Sequence, residues 1–245
     1  MSGAFDVIWI SGASSGIGAA LAASAPASAR VIGISRRPSV AGAEHVGADL
    51  ADPASWPAVG SEFEAVLSSG EVQRAAFLHF AGIGSPYGHA LGAPLDEYRR
   101  SVLLNAACGQ VLGQAFLALC ERHAVTPTLV QCSSPAAIEP MAGMTHYGPG
   151  KRAIEHWLAA IALERPQVAA FAVVPWAVDT PMLRGGMAAP PDEHPLAPQL
   201  NELAARGDLA TPEDTAQEIW ALVEAGVAPG SVHDVGAVPA EARRS

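Results

Sequence analysis

Tyr147 and Lys151 stand four residues apart in HYGPGKRAIEHW (His146–Trp157). Lys151 is the only lysine of the chain, the other 13 of its 14 basic residues being arginine. On a helix, a spacing of four places both side chains on one face. A phenol has an ordinary pKa of about 10, too high to exchange protons freely near neutrality. A cation fixed beside it favours the phenolate and lowers that value. Bringing it to about 7 takes roughly 4 kcal/mol of differential stabilisation. A compact ammonium with rotatable donors suits that task, and a broad guanidinium does not replace it freely. The intervening Gly-Pro-Gly is tolerable if Pro149 falls in the first turn of a helix, so that helix is expected to begin close to Tyr147. His146 is a candidate second proton carrier, although the expected placement of such a histidine is facing solvent.

A second constellation is ISGASSGIG, with Gly12, Gly16 and Gly18 between an apolar run, Phe5–Ile10, and an alanine-rich helix expected over Gly16–Ser28. Glycines there permit a tight turn and close backbone approach to a pyrophosphate, while the helix N-terminus turns free N–H groups toward the anion. The next strand, Arg30–Ser35, ends in GISRRPS. A carboxylate at that point would bind ribose hydroxyls and repel a 2′-phosphate. Ser35, Arg36 and Arg37 offer donors to the phosphate instead. The expected cofactor is therefore NADP(H) rather than NAD(H).

These residues need a scaffold, and the remaining sequence supplies an alternation. Further strands are expected to end in GADL (Gly47–Leu50) and to cover Val72–Phe80, Thr128–Cys132, Val168–Val174 and Ser231–Val235. Helices are expected over Pro53–Ser68, Asp96–His123, Tyr147–Glu164 and Pro212–Ala225. Strand–helix–strand units of this length are right-handed crossovers between parallel strands. The fold class is therefore α/β, a doubly wound parallel sheet of Rossmann-like, three-layer α/β/α form. No linker or repeat divides residues 1–245, so one domain is expected. Arg184–Pro198 is rich in proline and glycine and is expected to be irregular, part of a substrate loop or lid at about 183–210.

Composition sets limits. Half of the 245 residues are hydrophobic and 16% are charged, which describes a globular chain. A net charge of −10 argues against nucleic acid or an anionic membrane as partner. No secretory leader pattern is visible, and no apolar run approaches the ~18 residues of a membrane span. Cys108, Cys120 and Cys132 form no CxxC pair, which suggests reduced thiols in the cytoplasm rather than disulfides or a metal site.

The motifs together, in their order and spacing, resemble the short-chain dehydrogenase/reductase family over nearly the full length. The landmarks are GASSGIG, the DL of GADL, the AG of HFAG, Asn105, Ser134, Tyr147-x-x-x-Lys151 and PWAVDTPM. The resemblance implies a seven-stranded parallel sheet and hydride transfer between a nicotinamide and a ketone or aldehyde, forming an alcohol. By resemblance, cofactor contacts fall to Gly12, Ser14, Ser15, Gly16, Ile17, Gly18, Pro175, Val178 and Thr180, with Thr180 bonding the carboxamide. Asp49 and Leu50 would flank the adenine, and Ala81-Gly82 would pass the adenosine side. Lys151 would bind ribose hydroxyls and lower the Tyr147 pKa. Ser134, thirteen residues before the tyrosine, would orient the substrate oxygen in preference to Ser133, and Asn105 would hold a water linking Lys151 to solvent. A hydrophobic substrate and a homodimer or homotetramer are expected, the latter also because the helix around Val102–Leu119 is apolar on more than one side. Two departures stand out: His79-Phe80 replace the asparagines of NNAG, and Trp176 replaces a glycine, where an indole is expected to restrict or stack upon substrate. A cofactor-sensing scaffold of the same fold would tend to lack the tyrosine or lysine. A dehalogenase would tend to lack the glycines and carry arginine for the lysine.

Overall fold

The structure, a computed structural model, describes residues 4–39 and 42–237. Seven parallel strands form one sheet in the order β3-β2-β1-β4-β5-β6-β7. They are β1 (Val7–Ser11), β2 (Arg30–Ser35), β3 (Glu44–Gly47), β4 (Arg74–His79), β5 (Thr126–Cys132), β6 (Ala169–Pro175) and β7 (Val232–Val235). Every residue of β1 is buried, because a parallel sheet covered on both faces demands apolar runs rather than alternation. Successive side chains of β1 still serve opposite faces. Val7 and Trp9 enter one core with α2 (Trp56–Leu67), α4 (Gly109–Arg122) and α5 (Gly148–Glu164). Ile8 and Ile10 enter the other with α1 (Gly16–Ala23) and α8 (Pro212–Ala225). In the first core Trp9 meets Phe63 edge-on at 5.1 Å, and Phe63 meets Phe77 at 5.2 Å. These contacts bind α2 to the sheet centre and leave the strand ends free for chemistry.

Several expectations require correction. α1 ends at Ala23 rather than Ser28, since Pro26 cannot continue a helix. β3 ends at Gly47, so Asp49 and Leu50 lie beyond it. The long helix expected over Asp96–His123 is α3 (Leu95–Val102), a π-helical turn (Leu103–Cys108) and α4. This stretch, Leu95–Arg122, has the length and apolar composition of a membrane span. However, Leu104, Cys108, Leu112 and Phe116 are committed to the sheet's first core, as in a core helix. The expected irregular stretch holds parts of two helices, α6 (Pro181–Met187) and α7 (Ala197–Arg206). Their prolines sit in first turns, where a missing N–H has no partner to lose. Gly207 at φ 76° closes α7.

Candidate active site

Between β1 and β4 the strand order reverses direction, which opens a crevice at the carboxyl ends of the strands. The glycine turn lines it. Gly12 and Gly16 have φ values of 75° and 55°, a region that favours glycine. A Cβ on Gly12 would lie 2.9 Å from the Ala81 nitrogen, and one on Gly18 would lie 2.5 Å from the Gly12 oxygen. Ser15 caps α1 without a side-chain hydrogen bond, leaving the first N–H groups of the helix to an outside acceptor. Ser14 and Ile17 are half-buried in the same turn. Thr180 reaches over it: its methyl carbon is 3.1 Å from where a Gly16 Cβ would stand, and its Oγ1 accepts from the Leu183 N–H at 3.2 Å to cap α6. Pro175 ends β6, and buried Val178 bridges to Ala210.

At the end of β2 the Ser35 hydroxyl donates to the Arg37 carbonyl at 2.5 Å. Arg36 and Arg37 are exposed, and no salt bridge among the described residues uses either. Asp49 is half-buried and 2.7 Å from Arg100. Burial pushes its carboxyl up, yet Arg100, the Ala51 N–H and the charge of Arg36 together hold it below the ordinary value. The Leu50 side chain is in the core, so of this pair Asp49 is the more accessible.

The catalytic candidates converge from three elements. Tyr147 is the N-cap of α5, and Pro149 occupies its first turn as the sequence requires. The glycines around that proline have a packing reason. A Cβ on Gly148 would lie 2.5 Å from the Ala136 oxygen, and one on Gly150 would lie 3.2 Å from the carbonyl of Asn105. Lys151 is 2% exposed, its Nζ lying 5.5 Å from the Tyr147 ring centroid and donating to the Cys132 carbonyl at 2.8 Å. No carboxylate among the described residues pairs with it, and an ammonium has two further hydrogens to donate. The serine doublet divides. Ser133 Oγ is buried and donates to Glu155 Oε1 at 2.7 Å, whereas the half-buried Ser134 Oγ accepts from the Ala136 N–H at 3.3 Å and is the side chain that acts to lower the phenol's pKa. Burial pushes the Tyr147 phenol above its ordinary value of 10.0, against the expectation from charge alone, while Ser134 acts in the opposite sense. Burial also lowers the Lys151 pKa.

Asn105 lies in the π turn, fully buried. Its amide is occupied: Nδ2 donates to Ile83 O at 2.8 Å and Ser101 Oγ at 2.9 Å, and Oδ1 accepts from Ile83 N at 3.3 Å. It stands beside Gly82, where a Cβ would lie 3.1 Å from Oδ1 and 3.7 Å from Lys151 Nζ.

His146 is buried, 3% exposed, and not turned to solvent as expected. Trp176, expected to restrict or stack upon substrate, donates its indole N–H to Asp234 of β7 at 3.0 Å. His79 explains part of HFAG. Its Nδ1 meets Ser11 Oγ at 2.9 Å, the same oxygen that accepts from the Phe80 and Ala81 N–H groups at 3.0 and 3.1 Å. Sequence reasoning missed Tyr87, Met182 and His194. Tyr87 OH meets Met182 O at 3.5 Å, and its ring lies edge-on to His194 at 5.0 Å. Signals for them lay in the glycine-rich run AGIGSPYG after β4, in PWAVDTPM, which holds Met182, and in the expected lid, which holds His194.

A family model described as enoyl-(acyl carrier protein) reductase matches residues 12–232, and the chain belongs to the short-chain dehydrogenase/reductase family. It is similar to the benzil reductase, (S)-benzoin forming, of Bacillus subtilis (strain 168), at 24% identity over 92% of this chain and 96% of that one. Among solved structures, the aldohexose dehydrogenase of Thermoplasma acidophilum has a TM-score of 0.78 at 22% identity, covering 94% of this chain and 92% of its own. A Beutenbergia cavernae structure containing NADP at low occupancy has a TM-score of 0.76 at 24% identity, covering 95% and 96%.

Proposed function

We propose that the chain is a cytoplasmic, NADP(H)-preferring carbonyl reductase that interconverts a hydrophobic ketone or aldehyde with its alcohol. The observation that carries this reading is the convergence of Tyr147, Ser134 and a buried Lys151 with no carboxylate partner among the described residues. The bare glycine turn, the uncapped start of α1 and the unused hydrogens of Lys151 fit a dinucleotide along the crevice. Gly12, Ser14, Ser15, Gly16, Ile17 and Gly18 would hold its pyrophosphate. Arg36 and Arg37 would hold a 2′-phosphate, and Thr180, Pro175 and Val178 the carboxamide end. A nicotinamide bound there would supply the hydride for the carbonyl carbon.

The chain's own residues manage the oxygen. Ser134 donates to it and holds it against Tyr147, and the Tyr147 phenol gives it a proton as negative charge develops. Lys151 stabilises the phenolate left behind. Because the Asn105 amide is spent on Ile83 and Ser101, we place the relay water at its main-chain carbonyl, which faces Gly150. The widened π turn shifts backbone pairing there. The segment 183–210 would cover the substrate as a helical lid, in one domain of a homodimer or homotetramer.

Two measurements test this. NADPH fluorescence titrated with purified protein should show saturable binding, tighter than NADH. Loss of NADPH absorbance should then follow addition of benzil or a related aromatic ketone. Cofactor binding with no turnover across a broad carbonyl panel would overturn the reading in favour of a sensor.

A further inference from the structure

The segment from Gly82 to Gly88 leaves β4 beside the catalytic lysine, a Cβ on Gly82 lying 3.7 Å from Lys151 Nζ, and carries Tyr87 to meet Met182 O at 3.5 Å and His194 edge-on at 5.0 Å. Gly82, Gly84 and Gly88 give it little stiffness of its own. Two ties hold it. The Asn105 amide pairs with both backbone groups of Ile83, at 2.8 and 3.3 Å. His146 Nε2 meets the Pro86 carbonyl at 2.7 Å. The two ties are one chain of bonds, because Asn105 Nδ2 donates to Ser101 Oγ at 2.9 Å, and Ser101 Oγ meets His146 Nδ1 at 2.6 Å.

The polarity of this chain is fixed by its ends. A carbonyl only accepts, so His146 Nε2 carries a hydrogen. The Ser101 oxygen accepts from Asn105 and directs its own hydrogen to Nδ1. Ser101, Asn105 and His146 are all buried, and in this arrangement each polar atom has a partner. His146 thus joins the residue preceding Tyr147 to the wall of the substrate side. Beyond Tyr87, the Gly88 N–H donates to the Glu193 carbonyl at 2.9 Å, extending the tie to the α6–α7 turn.

We propose that His146 is a positioning residue for carbonyl substrates, fixing Pro86 and with it Tyr87 relative to the Tyr147 phenol. This rests on the reading above that Tyr147 protonates a carbonyl substrate. His146 is buried with both ring nitrogens engaged, and acts through Pro86.

Steady-state kinetics with NADPH and benzil on the wild type and on His146→Asn, His146→Gln and His146→Phe test it. Gln can place an amide N–H where Nε2 stands; Asn reaches only the Ser101 side, and Phe pairs with neither. Expected is a rise of about tenfold in KM for benzil in the Asn and Phe variants, kcat staying within about threefold, and a KM near wild type in the Gln variant. If Phe fails to fold, the Asn–Gln contrast still decides. An unchanged KM in His146→Asn, equal losses in Asn and Gln, or a fall in kcat alone would overturn the proposal. A wild type that turns over no carbonyl would instead overturn the reading beneath it, and this proposal with it.

Discussion

At Tyr147 burial raises the phenol's pKa and Ser134 acts to lower it. The phenol is buried, its neighbour Lys151 is itself disfavoured as a cation by burial, and the net result is a pKa held above the ordinary 10.0. For a group that must donate a proton this extends the working range upward. Reduction needs the protonated phenol, so its rate should be flat through neutrality and fall only as pH rises through the phenol's pKa. The alkaline limb of kcat/KM for carbonyl reduction should therefore lie above pH of about 10; a limb near 7 would show that the ammonium wins. At the other end of the crevice, replacing both Arg36 and Arg37 by Asp should raise KM for NADPH by about 100-fold while changing that for NADH far less. Ratios of kcat/KM for the two cofactors would reveal it, and an unchanged ratio would remove these arginines from cofactor choice. Tyr147, Lys151 and the glycines were legible because residue type and local spacing suffice to point to them. Tyr87, Met182 and His194 were not, since they meet through folding of segments about 100 residues apart, and no local spacing encodes that.

Among the elements, α5 depends on close backbone approach. A methyl at Gly148 would stand 2.5 Å from a backbone oxygen, so Gly148→Ala should destabilise the fold by about 1–3 kcal/mol despite alanine's better helix propensity. Urea unfolding measures this, and a gain in stability would contradict the packing. Gly150→Ala meets the Asn105 carbonyl at 3.2 Å, an approach that a shift of a few tenths of an ångström relieves. Its effect should be milder on stability and felt in kcat. The helix containing Asn105 could be read from its apolar pattern, but the π turn could not, because a change from i+4 to i+5 bonding leaves composition untouched. The lid misled for the opposite reason. Pro181 and Pro198 look like breakers, yet each stands at a helix start, where proline is accommodated.

The whole molecule carries an acid sensitivity in its buried imidazoles. Burial holds His79 down to about 3 and lowers His146, His194 and His233 from 6.5. The unfolded chain therefore binds more protons than the folded one below 6.5. Stability is fully present above that value and is lost as pH falls toward the folded pKa values. His79 alone accounts for up to about 5 kcal/mol of this. Urea midpoints from pH 7.5 to 4 should fall steadily, and His79→Asn should flatten the slope; a pH-independent midpoint would rule this out. The sheet was legible at this scale because strands covered on both faces must be apolar throughout. Where separate segments meet above the sheet was not. One such meeting, Gly88 with Glu193, joins peptide group to peptide group. Substitutions of the neighbouring side chains leave that bond in place, proline at position 88 aside, so the entrance can alter which molecules it prefers while its outline persists.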